Sequence, residues 1–180
     1  MLRGELTGLR ARANGDAAIL HAELYDDVEE WVRGSHRPWT PLPGQRSPYA
    51  LTDDERKADP DTGAAEFSIV ELISGELAGS CALWGMDTHN RYGHIGIELR
   101  PAYRGRGLGL DAVRLVCRYG FSILGLHRMQ LETLADNYAM IAVAEKAGFT
   151  REGTLRGESW VNGVFVDTLV FGLLAEEFAG

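Results

Sequence analysis

No stretch of this 180-residue chain approaches the ~20 consecutive apolar residues that a membrane-spanning helix needs. The opening Met1-Leu-Arg-Gly-Glu has none of the apolar run of a secretory signal. Cysteine is scarce. Cys81 and Cys117 are the whole complement, they lack CxxC spacing, and both sit in apolar patterns. That excludes a disulfide framework and a cysteine-built metal site, and reads as two buried thiols in a reducing compartment. Positive charge is also short. Lys and Arg number 18 against 26 Asp and Glu, a net charge of −8, which argues against nucleic acid or an anionic membrane as partner. Internal repeats and low-complexity tracts are missing. These shortages leave an expectation of one cytoplasmic domain over residues 1–180, large enough for a real core, with no membrane, nucleic acid or metal partner.

Against this acidic background one segment is different. Arg100-Pro-Ala-Tyr-Arg104-Gly105-Arg106-Gly107-Leu108-Gly109-Leu110 is rich in glycine and arginine, and Arg114 and Arg118 follow it. A strand-like run, Gly93–Leu99, enters it, and a helix-like run, Leu110–Cys117, leaves it. A glycine-rich turn that opens a helix aims unpaired backbone N–H groups at an anion, and the positive end of the helix dipole reinforces them. Glycine is needed there because a Cβ would block close approach or forbid positive φ. The segment is therefore expected to hold phosphates. A Walker loop needs Lys-Ser or Lys-Thr after its last glycine, and Leu110-Asp111 stands there instead. A dinucleotide loop needs G-x-G-x-x-G, and its third glycine is replaced by Leu110. Asp111 would repel a phosphate and is expected to point away from it.

What remains, R-x-x-G-x-G from Arg104 to Gly109, resembles the pyrophosphate loop of the GNAT superfamily of acyl-CoA-dependent N-acyltransferases. A second signature lies downstream. The strand-like Leu126–Leu134, then Asn137, then a helix-spaced run ending Glu145-Lys146-Ala-Gly148-Phe149, resembles the family's strand–asparagine–helix unit. The resemblance covers about Glu66 to Leu174. Tyr119-Gly-Phe121, Leu126-His127-Arg128 and Glu152-Gly-Thr followed by Asn162-Gly163 are similar to two branches, ribosomal-protein N-terminal acetyltransferases above all and polyamine acetyltransferases beside them.

The resemblance implies an α/β GNAT fold: a mixed, mostly antiparallel sheet, flanked by helices and splayed between Gly93–Leu99 and Leu126–Leu134. It implies acetyl-CoA as co-substrate. The pantetheine arm would lie on the backbone of Ile97, Glu98 and Leu99, the pyrophosphate on Arg104, Gly105, Arg106, Gly107, Leu108, Gly109 and Leu110, with Asn137 touching the arm. Asn137 is equally well placed to cap the helix that follows. The acceptor would be a primary amine, on a protein or peptide N-terminus or on a small molecule. A polyamine acceptor, another donor such as succinyl-CoA, and a non-catalytic CoA-binding module stay open. A homodimer is expected from the family type.

Acyl transfer to an amine needs a base for the ammonium, a donor for the developing oxyanion and, for the thiolate, an acid. Glu132 and Glu98 compete as base. Leu131 and Leu134 flank Glu132 in an apolar strand, which favours it slightly. The two places where relatives carry the acid hold Ala144 and Met140, which cannot give a proton, so Tyr138 is the nearest substitute. His36, Arg37, Trp39, Tyr49 and Trp160 are candidate walls of the acceptor pocket, with Trp39 and Trp160 foremost.

The remaining elements follow from periodicity. A strand is expected near Leu6–Arg12. A helix is expected from about Asp16 to Val32, with Ala17, Leu20, Leu24 and Val28 as its apolar stripe, and a short helix at Asp53–Lys57 led by Thr52. Phe67–Leu72 and Leu77–Met86 read as a hairpin turning at Ser74-Gly75. Arg156–Val161 and Val164–Leu174 read as a second one turning at Asn162-Gly163.

Overall fold

A computed structural model describes residues 1–13, 15–35, 38–43, 47–50 and 64–179. The expected helix at Asp53–Lys57, and His36 and Arg37, lie outside the described residues. Among the described residues eight strands form one sheet: β1 (Leu2–Arg3), β2 (Thr7–Arg10), β3 (Ala65–Glu71), β4 (Leu77–Asp87), β5 (Tyr92–Leu99), β6 (Arg128–Leu134), β7 (Thr150–Val161) and β8 (Val164–Leu174). Their spatial order is β1-β2-β3-β4-β5-β6-β8-β7, and every pairing is antiparallel except β5 with β6.

That one parallel pairing is short. It runs from Tyr92↔Arg128 to Ile95↔Leu131 and stops, although β5 continues to Leu99 and β6 to Leu134. On their outer edges both strands stay paired, β5 with β4 as far as Gly79↔Leu99 and β6 with β8 as far as Leu134↔Thr168. The two strands therefore diverge, and the inner-edge N–H and C=O groups of residues 96–99 and 132–134 face a gap instead of each other. This is the expected splay.

Alternation decides which face of the sheet is core. Leu83, Ile95, Met129, Leu131, Leu169, Phe171 and Leu173 are buried against α3 (Leu108–Arg118), whose Ala112, Val113, Leu115 and Val116 are solvent-free. α4 (Tyr138–Lys146) adds Ala144 to the same cluster, and Gly148 ends it at φ 97°. Cys81 and Cys117 are both buried and unbridged. A second cluster of Leu20, Leu24, Tyr25, Trp31, Tyr49 and Leu77 gathers under α1 (Asp16–Leu20) and α2 (Val28–Gly34).

The structure corrects two expectations about the N-terminal third. The single helix over Asp16–Val32 is broken: α1 runs into a wide π turn at His21–Tyr25, and α2 then starts afresh. Asp27 is the reason. Its backbone is extended and its carboxylate accepts from the Glu30 N–H at 3.1 Å, so it begins a helix rather than continuing one. The phase resets, and Val28 of the predicted stripe is exposed. The second correction is an added hairpin, β1–β2, too short to leave a periodic signal. The late hairpin turns as read, with Asn162 and Gly163 at φ 47° and 88°. Among the described residues no helix is long and apolar enough to cross a membrane.

Candidate active site

The glycine loop joins β5 to α3. Gly105 and Gly107 lie at φ 70° and 82°, values that other residues adopt only with strain, and Gly107 caps α3. The first-turn N–H groups of α3 have no carbonyl four residues back, so they point out of the helix end as donors. This fits an anion. Asp111 turns away, as expected, and the structure shows where it goes. Its carboxylate accepts from the N–H groups of Glu5 (3.1 Å), Leu6 (3.0 Å) and Thr7 (2.7 Å) and from the Thr7 hydroxyl (2.6 Å). Burial opposes its charge, but these four donors outweigh burial and hold the carboxyl below its ordinary range. Asp111 thus ties the N-terminal hairpin to the glycine loop, and Leu6 packs near Gly107.

The arginines are less bare than the sequence suggests. Arg100 pairs with Glu23, Arg104 with Glu30, and Arg106 with Glu71. Arg104 also donates to the Leu99 carbonyl at 2.9 Å. Arg114 and Arg118 cap the carbonyls of Lys146 and Arg3. An anion on this loop meets backbone N–H groups first. The side chains of Arg104 and Arg106 keep further N–H donors beyond those that meet Glu30 and Glu71.

A cavity of about 190 Å³ opens at the splay. β5 contributes His94 to Ile97, β6 Leu131 to Leu134, and α4 its cap Asn137 and Met140. The end of α2 (Val32–Gly34), Ser35, Trp84, Ser159 and Thr168 complete it. Glu132 is half-buried here, with Gln130 Nε2 donating to its Oε1 at 2.7 Å. Asn137 serves as helix cap, its Oδ1 accepting from the Met140 N–H at 3.2 Å, while still lining the cavity. Both roles expected of Asn137 are geometrically compatible.

A second cavity, about 230 Å³, shares Gly34, Trp84, Gly96 and Ile97 with the first. Its walls include Trp31 and Tyr49, and its charged groups are Arg12, Glu66 and Glu98. The Tyr49 hydroxyl donates to Glu98 Oε2 at 2.5 Å. Burial is the main reason that the Glu98 carboxyl is raised above its usual range, with Tyr49 and Arg12 pulling it back. Arg12 lies between the Tyr49 carbonyl (2.8 Å), Ser80 Oγ (2.6 Å) and Glu66 (3.3 Å). The two competing glutamates thus line different cavities, Glu132 the first and Glu98 the second.

Leu99 and the loop from Arg104 to Leu110 line neither cavity, and Tyr138, Trp39 and Trp160 also fall outside both. Tyr138 is 77% exposed at the start of α4, because the first turn of that helix turns it to solvent. Trp39 is packed against the second core cluster, where its indole N–H donates to the Tyr25 carbonyl at 2.9 Å. Trp160 is 61% exposed on the late hairpin, edge-on to Phe165. The aromatic walls are Trp31 and Trp84 together with Tyr49, which was among the expected wall residues. Trp84 and His94, which sequence reasoning passed over, could have been found from strand alternation. The alternation sets His94, Gly96 and Glu98 on one face of β5, and pairing across β4 sets Trp84 opposite His94.

A family model described as Acetyltransferase (GNAT) domain matches residues 7–150. The chain belongs to the GNAT acetyltransferase family. A putative ribosomal N-acetyltransferase, YdaF of Bacillus subtilis (strain 168), is 32% identical over 130 residues, 72% of this chain and 70% of that protein. A spermidine N(1)-acetyltransferase of Escherichia coli (strain K12) is 34% identical over 101 residues, 56% of this chain and 54% of that protein. In structure, a Vibrio cholerae spermidine N-acetyltransferase in complex with CoA and spermine superposes with a TM-score of 0.83 over 97% of this chain and 99% of that one. At 22% identity that likeness speaks to the fold alone. The chain is accordingly an acyl-CoA-dependent N-acetyltransferase with acetyl-CoA as co-substrate. In a GNAT enzyme the loop-and-splay geometry has a direct use. The glycine loop offers donors to phosphates, and the unpaired inner edges of β5 and β6 offer backbone groups to an extended arm.

Proposed function

We propose that this enzyme acetylates the α-amine of a protein or peptide N-terminus, or of a small molecule carrying a similar α-amine, with Glu132 as general base. The reading is carried by one observation: the Glu132 carboxylate lines the cavity in the splay, which is also lined by Asn137, Met140 and the diverging backbone of β5. Acetyl-CoA supplies an activated thioester. The chain's own residues must hold it, bring the amine beside it and take the amine's proton. Ile97, Glu98 and Leu99 would carry the arm on their backbone, the segment from Arg104 to Leu110 the pyrophosphate, and Asn137 the arm near its end. An α-ammonium, with pKa ~8, yields its proton more readily than an alkyl ammonium at ~10.4, so an ordinary carboxylate base suffices. Tyr138, turned to solvent, is not carried forward as the acid, and a thiolate leaves unprotonated near neutral pH.

A second reading is a polyamine acceptor with Glu98 as base. The second cavity supports it, because Glu66 and Glu98 stand there beside Trp31 and Trp84, although Arg12 already pairs with Glu66. Comparing kcat/KM for spermidine with that for short peptides with free N-termini decides between them. The peptides are expected to win, and a clear preference for spermidine overturns the proposal. The protein is further proposed to be one domain over 1–180, a homodimer and cytoplasmic. Its buried thiols support the last, with burial pushing Cys117 up to about 12, and cell fractionation tests it.

A further inference from the structure

His94 has no place in the chemistry above, yet it sits beside it. Register pairs His94 with Gln130 on β6, and Glu132 is the next residue of β6 on the same face. All three share one neighbourhood: Gln130 donates to Glu132, and His94 and Glu132 line the same cavity. On its other side the imidazole stacks on Trp84, with ring centroids 4.7 Å apart and planes 23° from parallel, and Trp84 is 41% exposed. His94 is itself half-buried. It therefore lies between Glu132, whose charge it feels, and the partly exposed Trp84.

We propose that His94 is the proton carrier between Glu132 and solvent, a residue that acts through the base. This rests on the reading of Glu132 as base. The protons balance as follows. The acceptor ammonium gives one proton to the Glu132 carboxylate, which passes it, directly or through one water, to the His94 imidazole and on to bulk water. The freed amine lone pair forms the C–N bond, the C–S bond breaks with its electrons on sulfur as a thiolate, and the second amine proton is lost to bulk water.

The charged and titratable groups around His94 suit a carrier. From β6 come Glu132 and Arg128, the latter paired with Glu152 of β7. From β5 comes Tyr92, whose ring meets the imidazole edge-on at 5.8 Å, and from α2 comes Arg33, which lines the same cavity. β4 presents Trp84 and Gly85, neither of them titratable. Burial is the leading influence on the imidazole and lowers its pKa, opposed by Glu132 and assisted by Arg128. A histidine with a lowered pKa is neutral at pH 7 and ready to accept.

The test is chemical rescue. His94→Ala should lose at least about tenfold in kcat at pH 7 with KM for acetyl-CoA unchanged, and imidazole added to the buffer should restore the rate in proportion to its concentration. His94→Gln, which keeps a packing partner for Trp84 but carries no proton, should show the same loss. The wild-type acid limb of kcat against pH should move in both variants. A rate within about twofold of wild type, or a loss that imidazole does not reverse, overturns the proposal. Glu132→Gln run alongside separates the two ideas. If Glu132→Gln is near wild type, the base assignment fails first. If it is crippled while His94→Ala is not, only the carrier role fails.

Discussion

Gly107 carries more of the cofactor argument than any charged residue. It holds φ 82° at the cap of α3, and a Cβ there would stand 3.3 Å from Leu6 Cδ1. Gly107→Glu therefore adds strain, bulk and negative charge at the proposed phosphate site. Acetyl-CoA affinity is expected to fall by at least ~2 kcal/mol, roughly 30-fold, measured by calorimetry. Gly107→Ala separates the contributions, since it introduces the backbone strain without the charge. Unchanged binding in Gly107→Glu would move the phosphate elsewhere. The arginines beside it teach the opposite lesson. A run of five in an acidic chain looks like a bare anion site, but Glu23, Glu30 and Glu71 come from distant segments to meet three of them. No local reading of the loop could find those partners.

Among the elements, α1 shows how a single carboxylate docks a helix. Asp16, in its first turn, is ion-paired with Arg10 of β2 at 2.6 Å, takes the Ala13 N–H at 2.8 Å and accepts from Ser68 of β3 at 2.7 Å. Burial opposes its charge, yet the bonds from Arg10, Ala13 and Ser68 prevail and lower its pKa from 3.8 to about 2. The unfolded chain thus binds this proton more readily than the folded one. The stabilisation is complete above about pH 4 and is lost as pH falls toward 2, and it amounts to on the order of 2 kcal/mol. Asp16→Asn should be less stable by that amount in urea at pH 7 and should lose less between pH 4 and pH 2. A variant whose stability follows the wild-type pH curve would show that Asp16 contributes nothing. The broken helix between Asp16 and Gly34 belongs to the same scale. Its break puts Gly34, which lines both cavities, beside Glu98, with the Gly34 Cβ position 3.7 Å from Glu98 Oε1.

At the scale of the molecule, the late hairpin leaves Trp160, Val164 and Phe165 between 58% and 67% exposed at one end of the sheet, on the two strands farthest from the N-terminal hairpin. An apolar tip of that kind suits contact with a second copy. Sedimentation of the wild type is expected to give twice the 19.8 kDa chain mass, and Phe165→Glu to shift it toward the single mass. A wild type that sediments as a monomer at micromolar concentration ends the homodimer proposal. Such an interface would also give Trp160 a purpose that neither cavity provides.

Much of the enzyme is legible in its sequence. The glycine spacing of residues 105–109, the Asn137-to-Gly148 helix and the Asn162-Gly163 turn are local devices, decided by φ preferences, capping and hydrophobic period within a few residues of themselves. A short window of sequence holds everything they depend on. What lies between Glu98 and Glu132 is different. The sequence puts both on strands with one cavity's worth of chemistry apiece. Only the divergence of β5 from β6 after Ile95↔Leu131, and the return of α2 over that gap, decides that Glu132 shares a cavity with Asn137 while Glu98 faces Tyr49. The same non-local pairing sets His94 beside Glu132, and packing against Tyr25 holds Trp39 away. Those outcomes depend on contacts between residues many positions apart, and neither period nor spacing carries that information.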